Sequence, residues 1–481
     1  MSDDQDALPP RGILKWSIGL SVLAVLVLFL GSALYLRVSK PSIRDIEPFD
    51  IDAFTSISVP PEKNATVLYR EAAPLFVEQQ SAKLKPSEVE AFDKSYDEAV
   101  AKAWKFANDD VRRWLEANRR AMEIWKRGSQ LDDSLDVPPG KVHLATDSSL
   151  ATIGGRTFAR LALLDAARLT AEGRNDEAWD RYRSVLRSSR HVGMHAGAIW
   201  RLVGVAMQAT ATDAIISWSA RPEVTAVQLR KALDETLAID AMTPPASDCF
   251  KAEYLGTINS FDDAEAELGG AATVFNFFGA REHARRSLRL IFANWLSQAD
   301  RPRFQRTEIH RGEPDLFERD SAAPPGSPSA ADIQSQCGLS SPGPGSILLK
   351  LMLPAGLPVF DAIDREQARR AALILALALE FYDREHGELP PNLEALVRAG
   401  YLKSIPADSF GKGEPFHYRR AENPAEGGLL WSVWTDGIDQ DGKISVDTHP
   451  GDTTGDKCFV IRVPPAAKQR SAGSAPRSTK P

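Results

Sequence analysis

Apolar residues are laid out along this chain in three different ways. From Trp16 to Leu36 they run without a single charge, WSIGLSVLAVLVLFLGSALYL, and at about 1.5 Å per helical residue the run reaches ~31 Å, the depth of a bilayer core. From residue 63 to about 305 they recur at i, i+3 and i+4, the period of helices that bury one face. Near the C-terminus they shorten into three runs, Phe416–Arg420, Leu429–Thr435 and Cys458–Val463. The middle run alternates, with Leu429, Trp431 and Val433 on one face and Ser432 and Trp434 on the other, as a strand does. An α+β protein is expected: an N-terminal membrane helix, an all-α middle, and a C-terminal helix over a small antiparallel sheet.

Start and stop signals refine the helical part. Ser87 with Glu90 has the spacing of a capping box ahead of a helix to Phe106, and Thr225 with Gln228 opens another before Leu229–Leu237. Asp109 and Asp110 introduce a helix carrying Trp114, Ala117, Ala121 and Trp125, which Gly128 ends. Residues 161–191 read as helix, Gly173 turn, Asn175 cap and helix, a pairing that resembles a tetratricopeptide hairpin. A single copy without a 34-residue period is not a solenoid, which needs about three repeats to close its core. An irregular helical bundle is the simpler expectation.

Residues 306–345 are rich in Pro, Ser, Gly and Ala, the composition of a linker. A strongly apolar helix follows from Asp364 to Gly387. The expected organisation is therefore a tail (1–12), a membrane helix (13–36), a linker (37–62), a helical domain (63–305), a second linker (306–345), an α+β domain (346–463) and a disordered tail (464–481).

Lys15 precedes the apolar run and Arg37 ends it, as at a membrane span. The competing reading is a signal peptide cut near Gly31-Ser32-Ala33, whose apolar region would exceed the usual length of about 7–15 residues. Basic residues flank both ends, Arg11 and Lys15 before, Arg37, Lys40 and Arg44 after. A short tail before a long following domain is the layout of a signal anchor, so a single-pass membrane protein, with its main domains outside the cytoplasm, is expected.

The 481 residues are 43% hydrophobic and 26% charged, an ordinary folded composition. A net charge of −7, with both signs scattered, leaves no basic footprint for nucleic acid. Cys249, Cys337 and Cys458 lie far apart with no CxxC, so no zinc knuckle or redox motif is present. His191 and His195 stand four apart in HVGMH, but Val192 occupies the place of the glutamate that a zinc-protease motif requires, and packing is the expected role. The basic run REHARRSLRLIFANWL suits either a core helix with a solvated face or a helix on a membrane surface.

In the C-terminal module an ordered series of pieces carries a resemblance. Glu380-Phe381-Tyr382 and Gly387 are followed by Leu389-Pro390, Leu393-Glu394-Ala395-Leu396, Gly400-Tyr401-Leu402, Pro406-Ala407-Asp408-Ser409-Phe410-Gly411, Tyr418 and Ser432-Val433-Trp434-Thr435-Asp436-Gly437. The series is similar to the C-terminal half of type II secretion major pseudopilins. It also resembles the C-terminal module of large envelope proteins of planctomycete-type bacteria. Ser409 stands where that family usually has Pro, and Trp434 where it usually has Gly. A leader cut after Gly12 would put Ser17, not an acid, at the fifth position, and residues 37–345 separate the span from the module. The resemblance thus implies the fold rather than a filament.

The resemblance also implies a Ca²⁺ site in the acidic loop after the middle strand, with Asp436, Asp439, Asp441 and Asp447 as candidate ligands. Ca²⁺ takes six to eight oxygens at about 2.3–2.6 Å, which carboxylates and carbonyls of a glycine-rich turn can supply. An EF-hand is excluded because Gly437 and Thr448 fall at positions 1 and 12. The competing reading is a polar turn. With no nucleophile, metal-protease or phosphate-loop motif, the expected function is protein interaction in the cell envelope, with the bilayer and unidentified envelope proteins as partners. Two alternatives stand beside it: an accessory of a type II secretion or pilus-like assembly, and a hydrolase using Asp262, Asp263 and Glu265 with a distant histidine.

Overall fold

The computed structural model describes residues 21–32, 34, 43–77, 85–143, 150–268, 280–323, 327–338, 349–350, 353, 356–422, 427–443 and 455–461. In chain order the main elements are α1 (Ala65–Ala72), α2 (Pro86–Ala101), α3 (Asp109–Ala117), α4 (Arg119–Gly128), α5 (Leu150–Ala171), α6 (Asn175–Val192), α7 (Ala198–Ser219), α8 (Ala226–Ala241), α9 (Ala246–Leu268) and α10 (Ala280–Ala299). After them come β1 (Ile309–His310), β2 (Leu316–Phe317), α11 (Ala330–Gln336), α12 (Gly356–His386), α13 (Glu394–Arg398), β3 (His417–Arg420), β4 (Gly428–Ser432) and β5 (Lys457–Ile461). The described chain is mostly helical, with two small antiparallel sheets.

Contacts divide it into two compact units. The larger contains Phe49–Asn259, Trp295–Thr307 and Ala355–Pro481, and the smaller Met1–Pro48, Ser260–Asn294 and Glu308–Pro354. In the smaller unit α10 buries Leu288, Leu290, Ile291 and Phe292, while Arg286 pairs with Glu282 at 2.6 Å and Arg289 with Asp45. The stretch expected to be a linker, 306–345, carries β1, β2 and α11 and buries Leu316, Phe317, Ile333 and Cys337. Asn294 fixes it by donating to the carbonyl of Phe317 at 2.8 Å and accepting its N–H at 2.9 Å. Averaged composition hid these few apolar residues among the prolines and serines.

In the larger unit, α5 packs on α6 and α6 on α7. Gly173 adopts φ +77° between α5 and α6, as the hairpin reading requires. Asn175 is not a cap: it is the first residue of α6, buried, donating to the carbonyl of Glu223 at 3.2 Å and accepting from the Trp218 indole at 3.3 Å. The capping box on Thr225 and Gln228 is present in both directions, at 3.1 and 3.3 Å. That on Ser87 is not, because the helix already begins at Pro86 and Glu88 reaches back to the Lys85 N–H at 2.8 Å. The helix expected from Asp109 to Gly128 breaks at Asn118, whose side chain is spent on the Val77 N–H at 2.7 Å and on the carbonyls of Trp114 and Val77.

Helix α12 is central to the larger unit. Along its length Ala372, Leu375, Ala376, Leu377, Ala378 and Leu379 have no exposure at all. It packs on α7 and α8 and also on β4 and β5, so bundle and sheet share one hydrophobic core. The C-terminal sheet has the order β3-β4-β5, antiparallel throughout, with His417 opposite Trp431 and Trp431 opposite Cys458. Each strand falls within a residue or so of its expected start.

Of the apolar run 16–36, residues 21–32 and 34 are described; they are helical and their apolar side chains are exposed, Leu28 by 69% and Val25 by 66%. Among the described residues no helix is long and apolar enough to cross a membrane.

Candidate functional site

The acidic loop is built on the outer face of the C-terminal sheet. Cross-strand pairing sets His417 beside Trp431, and their rings stack at 5.3 Å with 15° between planes. Arg419 lies over the same indole at 5.3 Å. Beyond β4 the chain turns through Trp434 at φ +49° and Gly437 at φ +66°, closed by the Gly437 N–H donating to the Trp434 carbonyl at 3.1 Å. Gly442, at φ +71°, then folds back over the strand so closely that a Cβ would come 2.6 Å from Leu429 Cδ2.

The acids separate into two groups. Asp439 accepts from the Trp431 indole at 3.0 Å and from the Asp441 N–H at 2.8 Å, with His417 Nδ1 3.5 Å from its other oxygen. Asp441 pairs with Arg419 at 2.9 Å. These two pin the loop to β3 and β4. The Trp431 bond is the main reason that Asp439 is held below the usual carboxylate range.

Asp436 belongs to the second group. Its carboxylate accepts from the N–H groups of Ile438 and Gly455 and from Gln440 Nε2, all at 3.0 Å. Burial works to raise it, but these donors outweigh burial and keep it low. Asp456, beside β5, accepts from the N–H groups of Gln440 at 3.0 Å and Gly442 at 2.9 Å through one oxygen. Its other oxygen, Oδ1, and Gln440 Oε1 are buried acceptors that no donor among the described residues meets. Burial raises Asp456, the two N–H groups pull it back, and the charges of Asp439 and Asp436 add to the rise. Asp447 lies outside the described residues. Among the described residues no three acidic, histidine or cysteine side chains stand together as metal ligands.

Below the loop, Asp408 closes the other side of the sheet. Buried, it accepts from the Phe410 N–H at 3.0 Å, Ser432 Oγ at 2.9 Å and the Val433 N–H at 3.1 Å, and burial raises its carboxyl. Ser409 Oγ donates to the Asp364 carbonyl at 2.9 Å, tying this turn to α12. Asp456, Gln440 and Asp408 escaped the reading of the sequence. Asp456 lies beyond the acidic run itself, and only strand pairing returns it to the loop.

The histidine pair does not form. His191, in the last turn of α6, is buried with Nδ1 2.7 Å from the Tyr69 hydroxyl. Burial, aided by the Arg187 charge, depresses its pKa to about 3. His195 lies past the end of the helix at φ +51°, with Asp248 at 3.6 Å and Asp133 at 3.9 Å. The side chains of Asp262, Asp263 and Glu265 lie outside the described residues, on α9. All three cysteines are free thiols, Cys249 and Cys337 buried, with burial pushing Cys249 up to about 12 and Cys337 up to about 11.

A buried charge cluster lies elsewhere, where α6, α7 and α12 meet. Glu366 accepts from Arg190 and, at 2.5 Å, from Arg201, and the three side chains are 0–2% exposed. Burial alone would raise Glu366; Arg190, Arg201 and Arg370 overcome it and keep the carboxylate ionised.

No protein-family model, curated protein or solved structure matches this chain.

Proposed function

We propose that this chain is a membrane-anchored protein of the bacterial envelope that works by binding other proteins, with no catalytic role for any residue. The carrying observation is the run Trp16–Leu36 together with its described part, where residues 21–32 form a helix whose Val and Leu side chains face outward. A contiguous apolar surface of that kind is costly in water and favourable in lipid. The bulk of the chain then lies outside the cytoplasm. Alkaline carbonate extraction of membranes tests the anchor: the full chain stays in the pellet, and a Val25→Arg, Leu28→Arg variant is released. Release of the unaltered chain would overturn it.

The pseudopilin-like reading of the C-terminal module has two supports: the helix-over-β3-β4-β5 arrangement, and the positive φ of Trp434 at the position where that family usually has glycine. A role as accessory to a type II secretion or pilus-like assembly rests on it. The test is co-purification of the full chain with pseudopilin-type subunits from solubilised membranes; their absence under crosslinking would sink that role.

Calcium at the acidic loop is favoured by the two donorless buried oxygens, Asp456 Oδ1 and Gln440 Oε1, since a hard cation satisfies acceptors that no N–H reaches. Asp436, Asp456 and Gln440 would hold the ion, with Asp439, Asp441 and Asp447 contributing charge or ligands, and it would lock the loop onto the sheet. Calcium titration of the melting temperature of the full chain in detergent decides the matter. A rise in the unaltered chain that Asp456→Asn abolishes supports the site; no rise leaves a structural turn.

A further inference from the structure

The buried ion cluster does not close on itself. Next to it, a half-enclosed cavity of about 10 Å³ lies among α6, α7, α8 and α12, with Arg190, Gln208, Thr236, Asp240 and Arg370 as its polar lining. Four polar atoms of these lining residues are buried and meet no protein partner: Arg190 Nε, Arg370 Nε, Gln208 Oε1 and Thr236 Oγ1. One nitrogen of each guanidinium is engaged. Arg190 Nη1 donates to Glu366 and lies 3.3 Å from Thr243 Oγ1, and Arg370 Nη1 donates to Asp240 and, at 3.0 Å, to Thr243 Oγ1. The Gln208 amide is oriented by its Nε2, which donates at 2.8 Å to Thr212 Oγ1, while that hydroxyl donates to the backbone carbonyl of Gln208 at 3.0 Å. Oε1 is therefore a true acceptor rather than a misassigned nitrogen.

A buried polar atom without a partner costs about 1–3 kcal/mol, more beside a charge. Four around one small space call for a single occupant that satisfies them together. The space is the size of one water, for which about 10–15 Å³ on this measure is the requirement. The chemistry selects water as well. Two N–H groups lack an acceptor, and Gln208 Oε1 lacks a hydrogen. A halide could take the two N–H groups but has no hydrogen to give to Oε1, and a metal cation would be repelled by both guanidinium groups.

We propose that this cavity is a binding site for one ordered water, which accepts from Arg190 Nε and Arg370 Nε and donates to Gln208 Oε1 and Thr236 Oγ1. The water joins the Arg190–Glu366–Arg201 cluster to the Arg370–Asp240 pair, so that polar contacts run without interruption through α6, α7, α8 and α12. Tetrahedral demand makes the node specific for one arrangement of the four helices, because a shift of any one strands a buried donor or acceptor.

The test is a crystal structure of the full chain at high enough resolution to place waters, together with a bromide-soaked crystal and a double-mutant cycle. A single peak within hydrogen-bond distance of the four atoms, without anomalous bromide signal, is expected. An empty cavity, or a bromide peak in it, overturns the assignment, the latter in favour of an anion. Thr236→Val and Gln208→Leu remove two of the four partners without touching the ion cluster. Bridged through one water, they are non-additive: the melting-temperature drop of the double variant is clearly smaller than the sum of the single drops. Strict additivity counts against the bridge. Thr236→Ser keeps the hydroxyl and should behave as the unaltered chain, which separates loss of the bridge from loss of packing.

Discussion

Arg201 Nη2 donates to Glu366 Oε2 at 2.5 Å, from α7 to α12, with both side chains closed to solvent. Arg190 of α6 takes the other carboxylate oxygen. One negative charge thus compensates two buried positive ones, and removing it leaves both uncompensated. Glu366→Gln keeps the shape and is expected to cost about 3–5 kcal/mol, the range for breaking a buried ion pair from one side. Denaturant unfolding of the full chain measures it, and a loss below ~1 kcal/mol would mean that solvent reaches the cluster.

Because α12 serves both the helical bundle and the sheet, the C-terminal module is not expected to fold by itself. A fragment of residues 346–463 exposes the faces of α12 that α7 and α8 cover. It should be helical by circular dichroism yet lack a cooperative thermal transition. A sharp melt of that fragment would show instead that the module is autonomous.

Acidification should weaken the larger unit in two steps. The folded pKa of His191, about 3, lies below its ordinary value of 6.5, so the neutral ring favours the fold in full above 6.5. That contribution is lost as pH falls from 6.5 toward 3, at up to ~1.4 kcal/mol per pH unit. His191→Gln should flatten stability against pH over this window. Glu366, held below the usual carboxylate range, adds its loss only below about pH 4.5, where the unfolded chain begins to take up protons. A second descent below that pH that Glu366→Gln removes would confirm the assignment; identical profiles in both variants would refute it.

Gly442→Ala tests whether the acidic loop is seated on the sheet. The substitution meets both a positive φ and a Cβ 2.6 Å from Leu429, so the loop must lift. The backbone term alone is about 1–2 kcal/mol. Hydrogen exchange of residues 429–443 should rise while the rest of the chain is unchanged. Unaltered exchange would mean that the turn can close without that contact.

Much of the local structure could be read from the residues themselves. The strands at His417–Arg420, Gly428–Ser432 and Lys457–Ile461, the turn at Gly173 and the Thr225 capping box all depend on neighbours a few positions away. Of the acidic loop, its position and two of its anchoring carboxylates, Asp439 and Asp441, were visible for the same reason. Asp456 and Gln440 were not recognisable as its partners, since an isolated aspartate before a strand and an amide in a turn carry no local signal.

The sequence by itself determined where the apolar run lies, where most helices and strands begin, and that a long helix is followed by short antiparallel strands, because period, caps and turns are short-range properties of the backbone. Tertiary structure alone decided that α12 belongs to bundle and sheet at once, that β1, β2 and α11 fall in the smaller unit, and that Glu366 meets Arg190 and Arg201 across 176 and 165 positions of chain. A charged residue on a helix reads as solvated until something covers it. Which surface covers it is fixed by packing between distant segments, and no local pattern encodes that.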